Sequence, residues 1–185
     1  LQSIFKTHNI QKFRAKQLID YIYHRYIFDF EEMTQFPKEL RQWLSDNCVI
    51  SLPTLITESV SPDGKTRKIL VEMTDQSRVE AVLMEQHYGY SVCVSSQVGC
   101  AMGCVFCAST QGGLYRDLTV SEIIGQVVIF GALTKEQIHS VVVMGAGEPL
   151  QNYDNVLQAL QLLHDPVICN ISYRKMTIST CGWVP

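Results

Sequence analysis

A chain of 185 residues, 46% of them apolar and with mean hydropathy near zero, has material for a real core and reads as a soluble globular protein, one domain with an appendage. No run approaches the ~20 apolar residues of a membrane span and the first residues lack an apolar signal core, which argues against a membrane protein and makes the cytoplasm the expected compartment. The net charge of −3 gives no support to a nucleic-acid partner, and seven cysteines, an odd number without a secretory signal, point to free thiols rather than a disulfide framework.

From Phe13 to about Phe28, Ala15, Leu18, Ile19, Ile22 and Tyr26 recur at helical intervals and predict an amphipathic helix. Lys6, Lys12, Arg14 and Lys16 form one basic group and Lys65, Arg67 and Lys68 another; on charge alone both read as solvated faces. Pro37 is expected to open a second helix reaching about Asp46, because a proline in a first turn lacks an N–H that would have gone unpaired there. Residues 54–61, 66–73 and 78–84 alternate and carry β-branched side chains, with Asp63-Gly64 as a hairpin signal and Asp75 to Ser77 as a second turn. They predict a small antiparallel sheet.

Tyr90 to Ser95 reads as the first strand of a parallel sheet, with Cys93 inside it as a small apolar residue. The next stretch holds Cys100-x-x-x-Cys104-x-x-Cys107. Three thiolates on one tight loop suit a metal centre that takes three sulfurs and leaves a position for something else. Gly99 and Gly103 permit the backbone torsions such a loop needs, and Phe106 would form a wall against water. Zinc is the competing reading, but its structural sites usually pair C-x-x-C units, and only one exists here.

Thr119 to Leu133 predicts a helix, with Val120, Ile123, Ile124, Val127 and Phe130 on one face and Thr119-x-x-Glu122 as a capping box. Ile138 to Met144 is a continuous apolar run, as in a strand covered on both faces. Strand, loop, helix and strand make a βαβ unit with its functional loop at the strand's carboxyl end. Gly145-Ala146-Gly147-Glu148-Pro149-Leu150 follows, and leucine at 150 excludes the G-x-G-x-x-G dinucleotide loop. Asn152 to His164 reads as a second helix and Lys175 to Thr180 as a third parallel strand.

The cysteine spacing resembles the signature of the radical S-adenosylmethionine (SAM) superfamily. With CVSSQVGC, LTVSEIIGQV, MGAGEPL and TISTCG in that order, the chain resembles the RlmN/Cfr family of radical SAM RNA methyltransferases, and its RlmN branch more closely, from about Lys12 onward. The resemblance implies an α/β fold: the N-terminal half of a partial (β/α) barrel over 89–185, preceded by a helical accessory domain over 1–50 that grasps RNA and an antiparallel segment over 51–88. It implies a 4Fe-4S cluster on Cys100, Cys104 and Cys107, with SAM on the fourth iron. Gly147 would let the backbone approach SAM, Glu148 would accept from its ammonium group, and Ser179 would contact it. Cys181, in place of a family serine, is read as a small thiol without a catalytic part.

The implied activity is methylation of carbon 2 of an adenosine in 23S ribosomal RNA and in certain tRNAs. One SAM methylates a C-terminal family cysteine; a second is cleaved to a radical that activates that methyl group. Glu80, in a segment similar to the family's RVET, is implied to take the proton, and Cys93 to free the product by forming a disulfide. An electron donor such as flavodoxin and a monomeric state complete the expectation. No residue of this chain matches the methyl-carrying cysteine, so the chain reads as a fragment or a truncated homologue, with a catalytically inactive RNA-binding module as the alternative.

Overall fold

Three helices lead the chain: α1 (Gln2–Thr7), α2 (Lys12–Tyr23) and α3 (Lys38–Asn47). The computed structural model describes residues 2–8 and 10–183. Ala15, Leu18 and Tyr21 of α2 pack with Phe5, Met33, Phe36 and Leu44 into one apolar cluster. The Tyr21 hydroxyl accepts a hydrogen bond from the Gln35 N–H at 2.8 Å, so even this ring's polar end is used. Pro37 is the cap of α3 rather than its first residue, and its carbonyl accepts from Leu40 at 3.0 Å and Arg41 at 3.1 Å.

Helix α2 stops short of the expected Phe28. Tyr26 takes a left-handed φ of 54°, and its ring lies where a Cβ on Gly131 would meet the hydroxyl at 2.3 Å. A tertiary contact with a later helix thus overrides the helical periodicity, which would have carried Tyr26 onward.

The strands are β1 (Thr54–Val60), β2 (Thr66–Glu72), β3 (Arg78–Gln86), β4 (Gly89–Val94), β5 (Gln97–Gly99) and β6 (Leu114–Asp117). Helix α4 (Val120–Thr134), β7 (Ile138–Val143), α5 (Tyr153–His164) and β8 (Met176–Ile178) complete the chain. The expected antiparallel strands are not a sheet of their own. They join a six-stranded sheet of order β1-β2-β3-β4-β7-β8, antiparallel as far as β4 and parallel from β4 through β7 to β8. The reason is β3, whose buried Val79, Ala81 and Leu83 continue the core laid down by β4 and β7. Its far end pairs with β4 through Met84↔Ser91 and Glu85↔Tyr90.

Helices α4 and α5 cover one face of this sheet. Helix α4 is apolar nearly all round, as a helix wedged between a sheet and a second helix must be. Burying side chains such as Ile123 and Phe130 contributes roughly 1.5–3 kcal/mol each. The capping box forms as expected: the Thr119 side chain accepts from the Glu122 N–H, and the Glu122 carboxylate accepts from the Thr119 N–H at 2.8 Å. Val141 and Val143 of β7 are buried under the helices, and on the opposite face Ser140 is buried and Val142 half-buried.

Strands β5 and β6 form a separate two-stranded antiparallel ribbon that the sequence patterns did not foretell. They bracket the cysteine loop.

Candidate functional site

Beyond the carboxyl end of β4 the residues Ser95, Ser96 and Gln97 are buried despite being polar. Buried polar groups need partners, and these bind four neighbouring elements together. The Ser95 N–H donates to Gln126 Oε1 of α4 at 2.8 Å, and Gln126 Nε2 donates back to the Ser95 carbonyl at 3.1 Å. The Ser95 hydroxyl donates to the Glu80 carbonyl of β3 at 2.8 Å and accepts from the Ala146 N–H at 2.9 Å. Gln97 is wholly buried; its Nε2 donates to Asp117 of β6 at 2.7 Å, and its Oε1 accepts from the Glu148 N–H at 2.8 Å. Asn152, just before α5, donates to the Ser96 carbonyl at 2.7 Å and the Leu118 carbonyl at 2.8 Å.

Glycine is required where the loop after β7 passes this hub. A Cβ on Gly145 would stand 2.6 Å from the Ser95 hydroxyl, and one on Gly147, with φ +107°, would stand 2.6 Å from the Gln97 Cβ. Glu148 is then only 3% exposed. Its Oε1 accepts from the Thr180 hydroxyl at 2.6 Å and the Leu150 N–H at 3.0 Å, and its Oε2 accepts from the Cys181 N–H at 2.8 Å. Burial pushes this carboxyl up, but the Thr180, Cys181 and Leu150 donors together pull harder and hold it below its ordinary value.

The cysteine loop is fastened at its mouth. The Cys100 N–H donates to the Gly113 carbonyl at 3.0 Å across the ribbon. That approach is possible because Gly99, at φ +77°, has no Cβ; one would come within 2.0 Å of the same carbonyl oxygen. The Thr110 hydroxyl donates to the Cys100 carbonyl at 3.2 Å and accepts from the Gly103 N–H at 2.9 Å. Arg116 of β6 pins the ribbon to the rest of the chain, 2.6 Å from Asp75 and 2.8 Å from Glu122. The Arg116 guanidinium holds the Asp75 carboxyl well below the usual carboxylate range.

Loop, hub and β8 meet around an open cavity of about 250 Å³ lined by Cys100, Cys104, Cys107, Gly147, Glu148 and Ser179. All six residues expected to hold the cluster and SAM are therefore brought together, from three separate parts of the chain. Phe106 also lines the cavity but is 89% exposed, so it forms a rim rather than a closed wall. Among the described residues, no group of three or more His, Cys, Asp or Glu converges in a way that would hold a metal ion. An iron–sulfur cluster is held by cysteines on its different irons. The soft donor set spread around a cavity fits the cluster.

Residues 1–50 match the Ribosomal RNA large subunit methyltransferase N-terminal domain, and residues 94–185 match the Radical SAM superfamily. A Symbiobacterium thermophilum protein named a probable dual-specificity RNA methyltransferase RlmN is 50% identical over 176 residues, covering 94% of this chain and 47% of that one. A Clostridium perfringens (strain 13 / Type A) protein of the same name is 46% identical over 185 residues, covering 100% of this chain and 53% of its own. The chain belongs to the RlmN family of radical SAM RNA methyltransferases. A crystal structure of a radical SAM methyltransferase from Sphaerobacter thermophilus superposes with a TM-score of 0.92 at 35% identity, covering 100% of this chain and 55% of that one. The chain thus spans about half the length of the RlmN relatives it matches.

Glu80 and Cys93 do not line the cavity. Glu80 is paired with Lys68 at 2.9 Å, its side chain 57% exposed. Cys93 stands opposite Val82 on one side and Val142 on the other. Burial pushes its thiol up, against a weaker backbone contact from Met144. Both residues lie on strands next to the hub, since the Ser95 hydroxyl reaches the Glu80 carbonyl. All seven cysteines are free, so the disulfide implied for Cys93 has no partner here.

The second basic group is neutralised in part, because Arg67 pairs with Glu58 as Lys68 does with Glu80. Another cavity, of about 310 Å³, is lined by Tyr23, Tyr26, Lys135 and Cys169 and contains none of the expected site residues. Burial there pushes the Cys169 thiol up to about 12, as befits an inert structural cysteine. Among the described residues no helix is long and apolar enough to cross a membrane.

Reasoning from sequence missed the positioning residues Ser95, Gln97, Gln126 and Asn152, and it missed that Thr180 and Cys181 line the site. A polar Ser-Ser-Gln run directly after an apolar strand was the available signal for the first two.

Proposed function

We propose that this chain carries the cluster- and SAM-binding part of an RNA methyltransferase that acts on carbon 2 of an adenosine in 23S ribosomal RNA and in tRNA. The carrying observation is the single cavity that joins the three motif cysteines to Glu148 and Ser179. The relatives' names support RNA as substrate. In this reading residues 1–50 are the RNA-grasping accessory domain, 51–88 a connecting antiparallel segment, and 89–185 the first half of a radical SAM partial barrel. The compartment is the cytoplasm, the protein is a monomer, and flavodoxin or a similar donor supplies electrons.

Cys100, Cys104 and Cys107 hold a 4Fe-4S cluster. When bound, the cluster and SAM supply the reductive cleavage that begins radical methylation of an unreactive carbon. Gly147 lets the chain approach SAM, where a side chain would collide with Gln97. A carboxylate offers about four lone-pair positions, and Glu148 spends three on Leu150, Thr180 and Cys181, leaving one for the SAM ammonium group. Its depressed pKa keeps it ionised for that contact. Ser179 contacts SAM from the β8 side. Glu80 is the proton acceptor at the adenine once it exchanges Lys68 for substrate, and Cys93 is the product-releasing thiol on the adjoining strand.

Anaerobic reconstitution with iron and sulfide tests the metal assignment. The expected outcome is a brown protein with ~4 iron per chain, lost on Cys100→Ala, Cys104→Ala or Cys107→Ala. A colourless chain that takes up a single zinc would refute it.

A further inference from the structure

The cavity holds a thiol that the radical SAM motif does not account for. Cys181 lines it together with Cys100, Cys104 and Cys107, whereas the remaining cysteines, Cys48, Cys93 and Cys169, do not. Its position is set by its neighbours. The Cys181 N–H donates to Glu148 Oε2 at 2.8 Å, and the preceding Thr180 hydroxyl donates to Oε1 at 2.6 Å. The Gly182 N–H closes back on that hydroxyl at 2.9 Å. The backbone is fastened on both sides of the residue while its side chain stays exposed to the cavity.

A 4Fe-4S cluster on three cysteines has one iron without a protein ligand, and thiolate is the donor such iron prefers. We infer that Cys181 is a displaceable fourth ligand, occupying the open iron when SAM is absent and leaving it when SAM binds. The inference rests on the cluster and SAM reading above. Ligation breaks the S–H bond and forms an Fe–S bond with no change of oxidation state. The proton leaves to solvent, to which Cys181 is exposed. SAM reverses this step: the Fe–S bond breaks and the sulfur takes a proton back. Because one short segment carries both Ser179 and Cys181, the group that receives SAM and the group that yields to it move together. The device would protect the exposed cluster from losing its fourth iron between turnovers.

The test compares the full 185-residue chain with its Cys181→Ala and Cys181→Ser variants after anaerobic reconstitution with ⁵⁷Fe. It uses iron content and Mössbauer spectra with and without SAM, neither of which needs turnover. The expected result is ~4 iron in all three proteins. Without SAM, the unsubstituted chain shows no distinct iron, while the Cys181→Ala chain shows one site set apart. Adding SAM makes the unsubstituted chain show that site too. Limited oxygen converts the Cys181→Ala cluster to a three-iron form several-fold faster. If the unsubstituted chain already shows a distinct iron without SAM, and its spectra and oxygen sensitivity match those of Cys181→Ala, the inference is overturned while the cluster reading stands. If no form takes up iron, both fall together. Cys181 is exposed, so the alanine form should fold; the serine form keeps the shape with a poorer ligand and should give an intermediate spectrum.

Discussion

The two sides of the cavity are built differently. On one side lie Gln97, Gln126, Asn152 and Glu148, all nearly or wholly buried, each with its polar atoms committed to bonds between elements. On the other, the cysteine loop is held by a few bonds at its mouth and by Thr110, and Val105 and Phe106 stand in solvent. The Glu148 side is preorganised by protein hydrogen bonds. In the proposed reading the cysteine loop takes its final geometry from the metal, as expected where ligand bonds contribute folding energy. Perturbing the first should therefore cost stability with or without iron, whereas perturbing the second should cost iron and leave the metal-free fold nearly unchanged.

The sharpest break of that contrast is Gln97→Ala. It leaves the Glu148 N–H and Asp117 without their buried partner and opens a void, so unfolding of the metal-free chain should lose about 3 kcal/mol, read as a lower urea midpoint. Gly99→Ala comes next, because it strikes the β5–β6 ribbon that carries the loop rather than the loop itself, and so should cost both stability and iron. Its φ of +77° and the clash with the Gly113 carbonyl should cost roughly 1–3 kcal/mol and detach Cys100 from its anchor, with iron uptake falling in parallel.

Acid gives a smaller effect of definite sign. The folded Glu148 carboxyl titrates below its ordinary value, so its contribution is present above that ordinary value and is lost as pH falls through the folded one. A urea titration series across the acid range should show stability falling less steeply in Glu148→Gln than in the unsubstituted chain. Equal slopes would remove the argument that Glu148 is kept ionised. The smallest effect belongs to Cys104→Ser, for which metal-free stability should stay within about 0.5 kcal/mol while cluster binding is abolished. A large loss of metal-free stability there would mean the loop is as preorganised as the hub.

The elements legible in the sequence were those written in local patterns. The capping box at Thr119 and Glu122, the Asp63-Gly64 hairpin, the apolar run of β7 and the cysteine spacing each carry their own signal over a few residues. What escaped depended on distant partners. Strands β5 and β6 are too short to show a period, and they exist because Gly99 and Gly113 meet. Helix α2 ends where it does because of Gly131, far along the chain. Gln97 and Asn152 look like ordinary surface polars until the elements they join are in place. Cys181 reads in the sequence as a small thiol in place of serine; only the fold shows it lining one cavity with the motif cysteines.

The central claim is that three thiols from one loop and a carboxylate from another form a single cofactor site. The most direct measurement is the electron paramagnetic resonance spectrum of the reduced, reconstituted chain as SAM is added, for the unsubstituted protein and for Glu148→Gln. The expected result is a spectrum that shifts on SAM addition in the first and needs far more SAM to shift in the second, with iron content equal in both. A cluster whose spectrum ignores SAM, or one that responds equally in both proteins, would contradict it.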